Sequence, residues 1–260
     1  MTSGIGTSGY GNALREWRGK RKLSQLELGL NANVSARHIA FLETGRSRPS
    51  RSMVMQLSEA LEVPRGERNR MLDAAGFRPA WATRALDAGD MEPVRRAIAR
   101  VIDRHDPFPA LVIDRHWNIV TANQAGTLVL SAFGVAVGDS ILSAMLEPGR
   151  AESMIENWPE VAAHTLARLR TESAHLGGDA ILDKAAAQLA LDPSLRNAPQ
   201  HANMPAIVPT RYRLGGQIFS VFATIAQFGT AEDIALADMR IELLFPADEA
   251  TERLFEAAGR

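Results

Sequence analysis

The sequence predicts a multidomain protein, with an all-α domain of five helices followed by an α+β domain of about five antiparallel strands. At 260 residues the chain is longer than one average domain, and 46% hydrophobic residues is an ordinary globular fraction. The first third carries repeated helix-start signals, whereas short β-rich runs appear only from Ala110 onward. This change in the period of the hydrophobic pattern marks where the first predicted domain gives way to the second.

Composition and breaks in periodicity predict four segments: a flexible leader over 1–10, the helical domain over 11–78, a linker over 79–90 and the second domain over 91–260. The leader has neither a basic start nor an apolar core, so it predicts no signal peptide. The longest uncharged run, His116–Gly138, is interrupted by polar residues, which argues against a membrane helix. The chain has no cysteine, which excludes disulfides and thiolate zinc sites and fits a reducing cytoplasm.

Charge is unevenly distributed, although the formal net charge is only −1. Residues 1–78 hold 13 Lys or Arg against 7 Asp or Glu, and the remainder holds 16 against 23. A basic first third on an acidic remainder indicates a polyanion-binding domain joined to a domain with another task.

The stretch Leu23–Arg46 predicts two short helices joined by a tight turn. Ser24 and Glu27 fit a capping box, in which the serine caps the helix and the glutamate returns a hydrogen bond to the cap. Ser35 can cap a second helix eleven residues later. Two helix starts at this spacing are the layout of a helix-turn-helix unit.

Two residues support the helix-turn-helix prediction more specifically than the hydrophobic periodicity does. Gly29 is small enough to let the second helix of the unit approach closely, despite the cost of glycine in a helix. Asn33 stands where the turn needs a left-handed backbone, which asparagine adopts more readily than most residues.

The flanking helices complete a small α domain. A first helix is expected over Gly11–Lys22, with Leu14 and Trp17 facing inward. Ser50 opens a fourth helix, and Glu67–Ala75 forms a fifth.

The second helix of the motif carries the residues expected to read DNA. Arg37 is expected to reach a base edge, because arginine pairs bidentately with guanine. Ala36 and Phe41 could touch a thymine methyl, although Phe41 could equally pack against a neighbouring helix. Gln25 can donate to a phosphate, and the arginines after the motif, Arg51 among them, would clamp phosphates. The predicted DNA-binding residues are Gln25, Ser35, Ala36, Arg37, Phe41, Arg46 and Arg48.

Residues 14–78 resemble the lambda-repressor-like, XRE-type helix-turn-helix domains through LSQ, the NVS turn and the FLETGRSRP ending. In that family the first residues of the third helix enter the major groove, which implies this role for Ala36 and Arg37 after the Ser35 cap. Gln25 matches the family's phosphate-contacting glutamine. Gly29 and Asn33 depart from the usual Ala and Gly, and both are tolerable substitutions.

The second domain opens with a helix, a hairpin and another helix. The first helix is expected to turn Val94, Ile98, Val101 and Ile102 inward. Asn123 is expected to cap the helix that follows the hairpin. Strand, turn, strand, Asn and helix is how PAS-like sensor domains begin. The predicted elements are helix Glu92–His105, strands Ala110–Ile113 and Trp117–Thr121, and helices Gln124–Phe133 and Ser140–Met145.

The remainder predicts two helices, three strands and a final helix. The middle strand is apolar on both faces, so it is expected to be central and covered on each side. The helices are Trp158–Leu176, Asp179–Leu191 and Ala247–Ala258, the strands are Ile207–Arg213, Gln217–Ala226 and Ile234–Phe245, and Pro193–Pro209 is a connection.

This second part resembles the MmyB-like ligand-binding domain that follows XRE-type domains in many bacterial regulators. The matching stretches are PALVIDRHWNIVTAN, ENWPEVAAHTLARLR and FATIAQFGTAEDIALADMRIELLFPADEAT. Together with the helix-turn-helix part, the resemblance covers about residues 14–256. The family is similar to PAS domains and implies an apolar pocket for a small effector, with fatty-acid-like ligands as the leading class.

Residues within the matching stretches could border such a pocket, although an ordinary core would use the same residue types. His164 and Arg168 lie one turn apart and could anchor a carboxylate, whereas Arg168 could instead face solvent or pair with Glu160 or Glu172. The predicted ligand-binding residues are Trp117, Asn123, Trp158, His164, Arg168, Phe222 and Phe228.

The sequence favours a dimeric, effector-responsive transcription regulator that binds double-stranded DNA. GxGxxG at a strand end, GxxxxGK[ST], HExxH and GxSxG are all missing, so we expect no enzyme, no cofactor and no metal site. Two alternatives stay open. The second domain could serve only for dimerisation, or it could be an enzyme joined to a DNA-binding domain.

Overall fold

The computed structural model describes residues 6–198, 207–229 and 233–259, and these fall into two compact units. The N-terminal unit consists largely of residues 6–83, and the C-terminal unit largely of the residues from Arg84 onward. The predicted division into a helical domain and an α+β domain is therefore confirmed.

The N-terminal unit contains the five predicted helices: α1 Gly6–Lys20, α2 Gln25–Ala32, α3 Ala36–Glu43, α4 Arg51–Ala60 and α5 Arg65–Ala74. The capping box at the start of α2 is confirmed, since Ser24 Oγ accepts from Glu27 N at 3.1 Å and Ser24 N donates to the Glu27 carboxylate. Ser35 and Ser50 cap α3 and α4 with the serine hydroxyl alone, which accepts from His38 N and from Met53 N respectively.

The start of α1 corrects the prediction that residues 1–10 are a flexible leader. The helix begins at Gly6, five residues before the predicted start, and Tyr10 is buried in the helical core. Gly11 lies inside α1, where a Cβ would come within 2.7 Å of the backbone oxygens of Leu42 and Glu43. A residue of any other type would therefore push α1 away from the end of α3. The first five residues of the predicted leader lie outside the described residues.

The close approach predicted for Gly29 is confirmed. A Cβ on Gly29 would lie 2.5 Å from Val34 O, which is shorter than two such atoms tolerate. The backbone of Asn33 has φ of 51°, the left-handed conformation that the turn requires. The N-terminal core is formed by Leu14, Trp17, Leu28, Ile39, Leu42, Leu57 and the residues around them.

The C-terminal unit is built on one five-stranded antiparallel sheet, which confirms the prediction of about five antiparallel strands. Its helices are α6 Glu92–Asp103, α7 Gln124–Ala132, α8 Ile141–Met145, α9 Arg150–Met154, α10 Trp158–His175, α11 Ala180–Leu189, α12 Ile234–Ala237 and α13 Glu249–Ala258. Its strands are β1 Ala110–Ile113, β2 Ile119–Ala122, β3 Thr210–Leu214, β4 Gln217–Ala226 and β5 Arg240–Pro246. Their order in the sheet is β2-β1-β5-β4-β3. Short 3-10 helices occupy Gly89–Met91 and Pro193–Asn197, and part of the predicted connection Pro193–Pro209 lies outside the described residues.

The predicted strand Ile234–Phe245 is wrong in its first half. Ile234–Ala237 is a single helical turn, and β5 begins only at Arg240. The neighbouring strands explain this boundary, since β1 pairs with β5 no further than Ile113↔Arg240 and β4 ends its pairing at Ala226↔Ile241. An earlier start would leave the backbone groups of this segment without a partner strand, and a helical turn satisfies them locally.

The prediction that β4 is covered on both sides is also wrong. Only Phe219, Ser220 and Val221 are buried, and the strand is exposed from Ala223 to its end. The buried part is the part that α13 reaches, where Ser220 N donates to Thr251 Oγ1 at 2.9 Å. Val101 on α6 likewise points outward, with 42% of its surface exposed.

Candidate functional site

The helix-turn-helix motif presents α3 with its N-terminal end exposed. Ser35 Oγ accepts from His38 N at 3.2 Å, which fixes the first turn of the helix that carries Arg37. Arg37, Arg46 and Arg48 are exposed, and none of them forms a hydrogen bond or an ion pair with another described residue. Their charges are therefore open to a polyanion.

Phe41 lies partly buried on α3, one turn from Arg37. The Arg37 guanidinium carbon is 5.3 Å from the centre of the Phe41 ring, which is within cation–π range. The ring thereby supports the arginine from one side. This contact lies within α3, so both uses foreseen for Phe41, at a thymine methyl or against a neighbouring helix, stay predictions.

A buried carboxylate ties α3 to the two helices before it. Arg18 donates to both oxygens of Glu43, at 2.6 and 3.0 Å, and Gln25 Nε2 donates to Glu43 Oε2 at 2.9 Å. Burial alone would raise the pKa of Glu43, but hydrogen bonds from Arg18 and Gln25 and the charges of Arg18 and Arg15 hold that pKa below its ordinary value. Glu43 thus fixes the orientation of α3 while fully ionised at neutral pH.

The side chain of Gln25, which was predicted from the sequence to donate to a DNA phosphate, takes part in this cluster. One of its amide hydrogens is committed to Glu43, and the other has no recorded partner among the described residues. Arg51 Nη1 donates to Arg78 O at 2.6 Å, so it too has a role within the unit.

A cavity of about 550 Å³ opens in the C-terminal unit, within the range of small-molecule sites. It lies where the start of α7, the β3–β4 hairpin and the end of α13 meet. Apolar side chains dominate its wall, and several come from elements more than 100 residues apart in the chain. The lining residues are Asp106, Pro107, Gln124, Ala125, Leu128, Val129, Leu214, Phe219, Leu254, Phe255, Glu256, Ala258 and Gly259.

None of the seven predicted ligand-binding residues lines this cavity. The sequence missed its lining because four separated segments build it, and only tertiary packing brings them together. The amphipathic pattern of α13 and the apolar side chains of α7 were the signals present, but a pattern of this kind does not distinguish a cavity wall from a core. The ligand-binding role of the seven residues stays a prediction.

Two of the seven belong to a largely buried ion cluster instead. Arg168 donates to Glu172 Oε1 at 2.8 Å and to Glu242 Oε1 at 2.6 Å, and its guanidinium lies 4.2 Å from the centre of the Trp117 ring. Trp117 Nε1 donates to Glu172 Oε2, which also pairs with Arg240 at 2.6 Å. Of the alternatives foreseen for Arg168, pairing with Glu172 is the one present.

Burial by itself would raise the pKa of Glu172 and lower that of Arg168. The hydrogen bonds from Trp117, Arg168 and Arg240 nevertheless hold the pKa of Glu172 below its usual value. The charges of Glu242 and Glu172 and the hydrogen bonds to them hold the pKa of Arg168 above its usual value. Glu172 and Arg168 therefore keep their charges at neutral pH, and α10 is joined to β5 by ion pairs.

Asn123 is also fully used within the chain. Its Oδ1 accepts from Gly126 N and Ala110 N, at 2.8 and 2.9 Å, which confirms it as the cap of α7. Its Nδ2 donates to Asp106 Oδ1 and Phe108 O. The side chain is 2% exposed, so a ligand could reach it only by displacing these partners.

The remaining four predicted residues are distributed over the unit. Trp158 is buried and donates to Asp192 at 2.8 Å, and Phe222 stacks on Phe245. Phe228 packs partly buried against the core around α6 and β5. His164 is exposed, and burial of part of its ring and the charge of Arg168 lower its pKa.

Two kinds of feature are absent among the described residues. No three His, Asp or Glu side chains stand close enough together to hold a metal ion. No helix among the same residues combines the length and apolar character needed to cross a membrane.

Comparisons with known proteins agree with both parts of the chain. A family model described as the MmyB-like transcription regulator ligand binding domain matches residues 94–258, and a helix-turn-helix family model matches residues 14–67. Uncharacterized HTH-type transcriptional regulators of Mycobacterium bovis and Mycobacterium tuberculosis are each 32% identical over 149 residues, which is 52% of this chain and 57% of theirs. The match thus spans little more than half the length of these relatives.

Among solved structures, the PAS domain of Bordetella pertussis BvgS is similar over 64% of this chain and 95% of that chain, at 17% identity and a TM-score of 0.30. A likeness at this score is too distant to add to the fold described above. The ligand-binding family model, in contrast, covers more than half of the sequence. The chain therefore belongs to the MmyB-like transcription regulator family, with a helix-turn-helix region ahead of its ligand-binding domain.

Proposed function

We propose that this protein is a sequence-specific DNA-binding transcription regulator whose C-terminal unit binds a small apolar effector. The observation that carries the DNA-binding part is the exposed end of α3, capped by Ser35 and followed by arginines without ion pairs among the described residues. A capped, firmly oriented helix with free cationic side chains is what major-groove recognition requires.

Within this proposal each residue of the motif has a distinct task. Arg37 reads a base edge, and Ala36 packs near the groove floor beside it. Phe41 supports Arg37 by the ring contact described above and faces a thymine methyl. Arg46 and Arg48 bind phosphates, and Gln25 donates its free amide hydrogen to another.

The effector binds in the cavity between α7 and α13, whose volume and apolar wall fit a small amphiphile. The family resemblance implies a fatty-acid-like molecule, with a long alkyl chain as the part that the wall would cover. We further propose that the regulator is a homodimer acting in the cytoplasm, with half-sites about one helical turn of DNA apart. Effector binding regulates the protein only if the ligand prefers one arrangement of the dimer over another.

The test is a selection of bound duplexes from a random pool by the full chain. A single enriched motif with two half-sites about 10 bp apart is expected for a dimeric regulator. A matched selection with a variant carrying Arg37→Ala, Arg46→Ala and Arg48→Ala is expected to enrich nothing. Absence of any enriched motif with the unaltered protein would disprove sequence-specific DNA binding.

A further inference from the structure

We propose that two copies of this chain associate through α6 of one copy and α13 of the other, with Arg100 and Arg104 paired to Glu252 and Glu256. This inference rests on the homodimer in the proposed function and deepens it by naming the surface that joins the two copies. The contact forms twice, because a two-fold axis places each α6 against the α13 of the other copy.

The outer side of α6 carries two exposed arginines without a partner in their own copy. Arg100 lies in the last turn of α6, and Arg104 is its C-cap residue, with helical backbone angles. Residues four apart are neighbours on the surface of a helix. Neither arginine side chain forms a hydrogen bond or an ion pair with another described residue, and the exposed Asp103 between them in the sequence pairs with neither. Both charges are therefore available to a partner.

The outer side of α13 repeats this pattern with the opposite charge. Thr251 and Phe255 face the sheet, since Thr251 Oγ1 accepts from Ser220 N and the Phe255 ring packs on that of Phe219. Glu252 and Glu256, each the next residue along, are exposed and again four residues apart. Neither carboxylate has a hydrogen bond or an ion pair among the described residues, whereas Glu249 on the same helix pairs with Arg253.

Each pair of like charges is unfavourable within a single copy. Arg100 and Arg104 repel each other, as do Glu252 and Glu256, because like charges four residues apart lie side by side on a helix. Glu256 also lies in the last turn of α13, where the negative end of the helix dipole disfavours a carboxylate. A partner surface of opposite charge offsets these penalties, and each copy offers one to the other.

The two surfaces also match in spacing. Four residues advance an α-helix by about 6 Å, so the arginines are separated along α6 as the glutamates are along α13. Packing the two helices side by side therefore brings both arginines to both carboxylates at once. Val101, beside Arg100 on α6, has 42% of its surface exposed and would be covered by the apolar stems of the paired side chains.

This contact connects the dimer to the effector site. The cavity wall includes Leu254, Phe255 and Glu256, so α13 takes part in both the cavity and the dimer contact. An effector that shifts α13 therefore changes the contact between the copies. Such a change gives the ligand the preference for one arrangement of the dimer that regulation requires.

The experiment measures the dissociation constant of the full-length dimer by sedimentation equilibrium. One variant carries Arg100→Glu with Arg104→Glu, and a second carries Glu252→Arg with Glu256→Arg. Each variant has like charges on both helices, so its homodimer is expected to be about thirtyfold weaker than that of the original protein, because four exposed ion pairs are lost.

A mixture of the two variants tests the reciprocal contact. In a mixed dimer the acidic α6 of the first variant meets the basic α13 of the second, and the other contact is attractive as well. The mixed dimer is therefore expected to regain the affinity of the original protein, measured with a fluorescent label on the first variant.

The matched control carries Arg170→Glu with Lys184→Glu, which reverses two charges at exposed positions of α10 and α11. Its dissociation constant is expected to be unchanged. Circular dichroism establishes that every variant folds. Added salt is expected to weaken the dimer of the original protein, because exposed ion pairs are screened, and this measurement needs no variant.

The outcomes separate this inference from the proposed homodimer. If the original protein dimerises and both charge-reversed variants do so equally well, or if salt leaves its dimer unchanged, the interface lies elsewhere and only this inference fails. Two monomeric variants whose mixture also stays monomeric would overturn the pairing of α6 with α13. If the original protein is a monomer at every concentration, the homodimer fails too, and the selection of DNA duplexes still tests sequence-specific binding independently.

Discussion

The arginines on and after α3 and the arginines between α10 and β5 are used in opposite ways. In the N-terminal unit Arg37, Arg46 and Arg48 are exposed and have no ion pair with any described residue. In the C-terminal unit Arg168 and Arg240 are largely buried and bonded to glutamates. The first arrangement leaves positive charge for a partner, and the second uses it to hold a helix on a sheet.

The units also differ in the range of the interactions that shape them. The caps of α2 and α3 join atoms three residues apart. The bond from Arg168 to Glu242 spans 74 residues, and the bond from Trp117 to Glu172 spans 55. The helices of the N-terminal unit can therefore be predicted from short stretches of sequence. The packing of the C-terminal unit depends instead on contacts between distant segments, which short stretches do not predict.

Arg168→Met is expected to have the largest effect, a loss of about 4 kcal/mol of unfolding free energy, because it leaves Glu172 and Glu242 buried with one cation fewer. Urea denaturation followed by circular dichroism measures it. The control is Arg253→Met, which breaks an exposed pair with Glu249 and is expected to cost less than 1 kcal/mol. Equal losses of unfolding free energy in the two variants would mean that the Arg168 cluster stabilises the fold no more than an exposed ion pair does.

Glu43→Gln is expected to cost about 3 kcal/mol, because it removes the charge-assisted hydrogen bonds from Arg18. The pKa of Glu43 is lowered in the folded protein, so its stabilisation is complete above the unfolded pKa of about 4.5 and is lost as pH falls through the lower folded value. The difference in stability between the original protein and Glu43→Gln should therefore shrink below about pH 4.5.

Thermal unfolding of both proteins across pH 3 to 7 checks this dependence. Glu16→Gln is the matched control, since Glu16 forms an exposed pair with Lys20 and its loss is expected to be within 1 kcal/mol at every pH. A constant difference between the original protein and Glu43→Gln down to pH 3 would contradict the role given to Glu43.

Arg37→Ala is expected to lose about 2 kcal/mol of discrimination at a single base pair of the selected site, because an unpaired arginine on α3 reads one base edge. Competition binding with a complete set of single-base variants of the site measures this loss. Arg70→Ala removes an exposed arginine from α5 of the same unit and is expected to leave discrimination intact. If Arg37→Ala keeps the original base preference at every position of the site, Arg37 does not read a base edge.

Arg48→Ala is expected to have the smallest effect, a uniform weakening on all DNA sequences with the salt dependence of log K reduced by about one unit. Affinities at several salt concentrations give this slope. Arg170→Ala, at an exposed position of the C-terminal unit, sharpens the comparison between the units, since it removes the same charge and is expected to leave the slope unchanged. Equal changes in both slopes would show that the charge of the whole chain, not of the motif, attracts DNA.

What could be predicted at the candidate sites follows the same division. The residues around α3 were identified from the sequence, because a capping box, a left-handed asparagine and a run of arginines are local signals. The structure shows Arg37, Arg46 and Arg48 exposed, and their contacts with DNA stay a prediction. The cavity was not foreseen, because its lining residues come from four separated segments between Asp106 and Gly259.

By itself, the sequence determined the two-domain organisation, the five helices of the N-terminal unit and the five antiparallel strands of the other. Those features rest on side-chain periodicity and on hydrogen bonds between close neighbours in the chain. Tertiary structure alone decided that Tyr10 and Gly11 belong to the helical core, that Ile234–Ala237 is helical and that more than half of β4 is exposed. Each of these depends on which element packs against the segment, and no local pattern contains that information.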